Sequence, residues 1–236
     1  MSKKIIFRVD AAKLTSTGTG SLYRSIFLSK ILKKKYSLKK NDLIFIVKTD
    51  KKYSIAKKIL IENKIQFHKI SSGISDYSLQ ELKILKKYSS ELIIIDRYMG
   101  KITKKFITQL KKKHKKIFLL DDISKIRVLA DLSINPMSLN ASKTKNSNLG
   151  YKFNILPSFN FIKKKNKRKK NKFFIFVFFG GYDKKKLTYN FLKKLLKYKL
   201  NAKYLINEKF RKNFSKIYRE RISFFKSQNH YKNLSN

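Results

Sequence analysis

Over the first 135 residues, six apolar runs of strand length alternate with segments of helical spacing, and that order leaves few folds open. The runs fall at residues 4–9, 43–47, 66–70, 92–95, 117–120 and 132–134. Helical spacing occupies 22–36, 52–62, 77–88 and 101–114, with a shorter helix near 124–129. Strands separated by helices of this length need right-handed crossovers, so the sequence predicts an α/β fold with a parallel sheet. Along the first helix, Leu22, Ile26, Ile31 and Leu32 are expected to turn toward the core.

The pattern then breaks and restarts. Residues 136–150 read as a polar loop, and 163–171 is a basic run placed between two sheet-like halves. A solvated linker is the plainer account of that run. Beyond it come a strongly apolar strand at 172–179, a Gly180-Gly181-Tyr182-Asp183 turn and a helix at 187–200. A strand at 203–206, a helix near 208–219 and a strand at 221–225 follow. The expectation is two Rossmann-like domains with parallel sheets, 1–162 and 172–236. Three strands are few for such a domain, so the second is expected to be incomplete.

Composition narrows the chemistry. With no cysteine, disulfides, thiolate metal sites and a cysteine nucleophile are excluded. His68, His114 and His230 lack metal-ligand spacing, and all three are expected to be inert. No cofactor is expected. Residues 1–4 run straight into a strand without an apolar leader, and no apolar run reaches membrane-spanning length. A cytoplasmic setting is expected. The 59 Lys and Arg against 14 acids give a net charge of +45, which by itself suggests nucleic acid or an anionic surface. The excess is almost all lysine, however, whereas bidentate phosphate or base recognition favours arginine. Frequent Lys, Asn, Ile, Phe and Tyr with sparse Gly, Pro and Ala is what an A+T-rich coding sequence yields. The charge is therefore read as mostly solvated lysine, with no specific nucleic-acid partner and a weak pull toward anionic surfaces.

The chemistry-bearing residues cluster at predicted strand ends. After Ile5-Ile6-Phe7-Arg8-Val9-Asp10 comes Thr17-Gly18-Thr19-Gly20-Ser21 and then a helix. Glycines allow close backbone approach, and a helix start offers free N–H groups to a phosphate. Gly18, Thr19 and Gly20 are thus candidate ligand contacts, with Arg24 one turn further on. Asp10, Asp50, Asp96, Asp121, Asp122 and Asp183 all lie at or just past predicted strand ends. Turn and cap chemistry could account for Asp50 and Asp122. The set as a whole is expected to line one crevice, where carboxylates accept sugar hydroxyls or act as acid or base. Tyr98, two residues past Asp96, is either a substrate contact or a packing residue.

These segments, together with Ile93-Ile94-Ile95-Asp96-Arg97-Tyr98, Asp121-Asp122, Ile134-Asn135-Pro136, Leu139-Asn140-Ala141 and Phe179-Gly180-Gly181, occur in an order that resembles the UDP-sugar hydrolases of pseudaminic acid biosynthesis. That family is related to the two-domain, B-type glycosyltransferases. The resemblance runs from residue 4 to about residue 190. It implies a GT-B-like pair of domains, UDP held mainly by the second, and metal-free attack of water on the anomeric carbon of a 2,4-diacetamido-2,4,6-trideoxy sugar. The chain matches the family at Asp10, Gly18, Gly20, Arg24, Tyr98, Gly180, Gly181 and Asp183, with Tyr182 in the middle of the family's Gly-Ser/Thr-Asp turn. Thr19 and Asp96, read from the loop and the strand end, complete the expected substrate contacts.

The family's base is the His of Gly-x-Gly-His-x-x-Arg, and here that position is Ser21. A hydroxyl without a partner takes no proton near neutral pH, which leaves Asp10 as the nearest replacement. The family's glycine-rich UDP loop is expected beyond residue 236. Hydrolysis of a UDP-sugar is accordingly the first expectation, impaired by Ser21. A glycosyltransferase-like or non-catalytic sugar-nucleotide-binding role is the second, and a basic nucleic-acid-binding protein the third.

Overall fold

A computed structural model describes residues 4–12, 18–97, 102–136, 144–153, 155, 173–177, 187–198, 200, 202–207 and 222–225. The chain divides into two compact units, Met1–Pro157 and Ser158–Asn236.

In the first unit, seven strands form one sheet: β1 (Ile5–Val9), β2 (Leu43–Lys48), β3 (Phe67–Ile70), β4 (Ser90–Asp96), β5 (His114–Leu120), β6 (Leu132–Asn135) and β7 (Ser147–Leu149). Their spatial order is β3-β2-β1-β4-β5-β6-β7, and every pairing is parallel. Among the described residues four helices cover it: α1 (Gly20–Tyr36), α2 (Ser54–Glu62), α3 (Leu79–Leu85) and α4 (Lys104–Lys111).

The central strands are buried along their whole length, as a parallel sheet coated on both faces requires. Alternation along β1 sorts the core into two layers. Ile5, Phe7 and Val9 pack with Leu22 and Ile26 of α1 and with Ala56, Ile59 and Leu60 of α2. Ile6 points the other way, to the layer containing Leu82 and Leu85 of α3 and Phe106, Ile107 and Leu110 of α4. The Phe7 and Phe45 rings stack with centroids 4.6 Å apart. The short helices α3 and α4 start where Ser78 and Thr103 accept hydrogen bonds from the amides of Glu81 and Phe106.

Three local expectations need correction. Ile31 is 42% exposed, and the buried stripe of α1 runs instead through Leu22, Ser25, Ile26 and Ser29. Residues 147–149, read as loop, form edge strand β7 beside β6. His114 does not end a helix but opens β5, paired with Ser90 of β4 and only 1% exposed. Lys-rich flanks conceal it, because nothing in Lys113-His114-Lys115-Lys116 carries an apolar period.

The second unit holds a three-stranded parallel sheet in the order β10-β9-β8, from β8 (Phe173–Phe176), β9 (Ala202–Asn207) and β10 (Ile222–Phe225). Helix α5 (Leu187–Leu195) supplies Leu192 to a small core with Val177, Tyr204, Ile206 and Ile222. The proposed linker at 163–171 and the helix near 208–219 lie outside the described residues. Among the described residues no helix is long and apolar enough to cross a membrane.

Candidate functional site

Strand order reverses between β1 and β4, so the chain leaves their carboxyl ends toward opposite faces of the sheet. Crevices of open α/β sheets form at such a point. Val9 pairs with Asp96 across it, which brings Asp10 and Asp96 to the same rim.

On the α1 side, the turn into the helix closes with the Ala12 amide donating to the Gly18 carbonyl at 3.0 Å. Gly18 has φ +54, the left-handed region that favours glycine. Neither Gly18 nor Gly20 has anything within 4 Å of where a Cβ would stand. Thr19 occupies the N-cap position without a side-chain cap, and the first turn of α1 carries no acid. No Thr19 side-chain bond therefore serves the leading amides, at which the positive end of the helix dipole lies. Ser21 sits in that first turn, half-buried.

Beneath this turn lies a cluster built on Asp96, which is fully buried at the end of β4. Arg24 grips it with both arms: Nε donates to Oδ2 at 2.9 Å and Nη2 to Oδ1. Ser25 Oγ donates to Oδ2 at 3.1 Å, and Arg24 Nη2 also donates to Asp121 Oδ2 at 2.6 Å. Burial pushes the Asp96 carboxyl up, against the opposing pull of Arg24. Burial likewise works against the Arg24 charge, but Asp96 and Asp121 hold its guanidinium above its usual value. Asp121 adopts φ +58, and its Oδ1 is buried without a hydrogen-bond partner.

The other side of the same rim carries a second network. Arg8 alternates to the α3 face of β1 and donates to both oxygens of Asp10, at 2.7 and 2.8 Å, and to Glu81 at 2.5 Å. Arg97, next after Asp96 and therefore on the opposite face, pairs with Glu81 and lies 3.5 Å from Asp10. Its guanidinium covers the Tyr77 ring at 5.1 Å. The Lys48 amide adds a further bond to Asp10 at 2.9 Å. Burial would raise the Asp10 carboxyl, yet Arg8 and Arg97 hold it well below the usual carboxylate range. Burial would also raise Glu81, and the same two arginines hold it at about 2.

The strand-end carboxylates thus reach one edge of the sheet but divide between its two faces, each face closed by arginine. Asp50 has a separate task, accepting the Ser72 amide and hydroxyl at 2.8–2.9 Å and so tying the turn after β2 to the turn after β3. Asp122 makes a local turn, accepting the Ser124 amide at 2.7 Å. Arg8, Glu81 and Arg97 were not among the sequence candidates. A signal was present: only eight of the 59 basic residues are arginine, and Arg8, Arg97 and Arg127 are buried. Tyr98, Gly180, Gly181 and Asp183 lie outside the described residues. Among the described residues no cluster of His, Asp or Glu could hold a metal ion.

No model of a known protein family matches the chain, and no curated protein does.

Proposed function

We propose that the chain acts on a nucleotide-linked sugar of the UDP-sugar hydrolase type, with phosphate or sugar oxygens received at the start of α1. One observation carries this reading: an uncapped, glycine-bearing helix start stands at the reversal point of a parallel sheet, with Arg24 fixed one turn behind it. On this reading the substrate contacts are Gly18, Thr19, Gly20, Arg24 and Tyr98, while buried Asp96 holds Arg24 in place rather than touching substrate. The resemblance adds Gly180, Gly181 and Asp183 as further candidate UDP contacts. Water attacks the anomeric carbon, its proton passes to a base, and UDP departs with the electron pair of the broken C–O bond.

The second reading, sugar-nucleotide binding or transfer with little hydrolysis, is favoured by a separate observation. Asp10, the expected substitute for the missing base, is occupied by Arg8 and the Lys48 amide and held in its ionised form by two guanidiniums. A carboxylate so stabilised is a poor proton acceptor, and losing a general base costs ~10²–10⁴ in rate. Incubation with a UDP-linked 2,4-diacetamido-2,4,6-trideoxyhexose separates the two. UDP release that rises in Ser21→His supports a weakened hydrolase. Tight binding without release in either protein supports the second reading, and neither binding nor release removes both.

A further inference from the structure

At the amino end of the sheet, away from the carboxyl rim, a cavity of about 380 Å³ opens between α1 and α2. Its volume lies within the range of small-molecule sites. The floor is apolar: Leu43 and Phe45 of β2, with Ile65 ahead of β3. Phe45 is fully buried and held flat by its stack on Phe7. The rim is cationic, formed by Lys30, Lys33, Lys40 and Lys64, all exposed.

Lysines near helix ends commonly serve the unpaired carbonyls there. Here backbone amides take several of those carbonyls, and among the described residues none of the rim lysines is bonded to one. The amides of Ser37 and Leu38 both reach the Lys33 carbonyl at the end of α1. At the end of α2, the amides of Asn63, Lys64 and Ile65 take the carbonyls of Ile59, Ile61 and Leu60 at 2.9–3.1 Å. Nor do carboxylates neutralise the rim. Asp42 is turned to the Lys39 amide at 2.8 Å, and Glu62 faces Lys58 at 3.9 Å. Among the described residues, Lys30 finds only the Asn63 Oδ1, at 3.3 Å, and none of the four rim lysines forms an ion pair.

We propose that this cavity is a second binding site, for an organic phosphate carrying one flat apolar group. The ring packs on Ile65 and the accessible edge of Leu43, with buried Phe45 closing the floor behind them, and the phosphate sits among the rim ammoniums. Burial of the ring supplies the non-directional part of the affinity, and the lysines supply charge and orientation. The site does not depend on the reading proposed for the carboxyl rim.

Titration of the full chain with 1-naphthyl phosphate tests it, using inorganic phosphate and 1-naphthol as partial ligands. Expected is binding at least tenfold tighter than either partial ligand, with amide shifts in the NMR spectrum at Ile65 and Gln66. A Lys33→Glu, Lys40→Glu double variant should weaken binding at least tenfold. Lys104→Glu with Lys105→Glu, on the exposed start of α4, removes the same charge and should change it less than twofold. Lys33→Gln with Lys40→Gln replaces the first pair if that protein lacks a cooperative thermal transition. Equal losses in the two double variants would reduce the effect to the general positive field and overturn the proposal. So would naphthyl phosphate binding no tighter than phosphate, or shifts confined to Gly18–Ser21.

Discussion

Arg8, Glu81 and Arg97 together show why a few residues govern this fold. Each guanidinium is buried, and Glu81 is the carboxylate they share. Breaking a buried pair leaves an uncompensated charge, at a cost of about 3–5 kcal/mol. Glu81→Ala should lower unfolding stability by that amount in urea titrations at pH 7. The same network predicts acid sensitivity. Glu81 is held at about 2 when folded, against an ordinary 4.5. Its contribution is therefore complete above pH 4.5 and is lost as pH falls from there toward 2. His114 acts in a higher window. Burial, beside a Ser90 Oγ contact at 2.8 Å, pushes its imidazole from 6.5 down to about 4. Above pH 6.5 the ring is neutral in both states. As pH falls from 6.5 to 4 the unfolded chain takes up the proton first, and on the order of 3 kcal/mol of stability is lost. His114→Asn should flatten the stability profile between pH 4 and 6.5 while leaving the fall below pH 4.5 due to Glu81.

At the scale of elements, α1 carries both packing and the proposed ligand contacts, and its two glycines separate these roles. Gly18 sits at φ +54 in open space, so Gly18→Ala meets no neighbour but adopts a strained backbone. A loss of about 1 kcal/mol is expected in chemical denaturation. Gly20 has no such φ and begins the helix, where alanine is a better helix former. Gly20→Ala should leave stability unchanged or slightly raised. If the turn receives a phosphate closely, Gly20→Ala still weakens UDP-sugar binding; unchanged affinity in calorimetry argues against that contact. Arg24 joins α1 to β4 and β5 through Asp96 and Asp121. Arg24→Leu should cost about 3–5 kcal/mol, because Asp96 has no route to water. Adding Asp96→Asn should recover much of the stability without restoring ligand binding, which separates the structural pairing from recognition.

For the whole molecule, the +45 charge is a burden on the compact state. Salt shortens the reach of lysine repulsion, so the Tm should rise as sodium chloride increases to about 0.5 M. Calorimetry at several ionic strengths checks this, and a flat Tm would mean that bound anions already neutralise the surface.

The alternation of apolar runs and helical segments was enough to specify strands β1 to β6, four helices and a parallel sheet, since the central runs of β1, β2 and β4 are short, apolar and bounded by helical segments, as covered strands are. Spacing likewise placed Asp10, Asp96 and Asp121 at strand ends. Which face each carboxylate takes, and what meets it there, is not a local property. Glu81 lies 73 residues from Arg8, and Asp121 lies 97 from Arg24. Only the order in which strands assemble brings such partners into contact. Hydrophobic period is encoded residue by residue and survives in the unfolded chain, whereas ion-pair partnership and the protonation it enforces exist only once burial has removed the competing water.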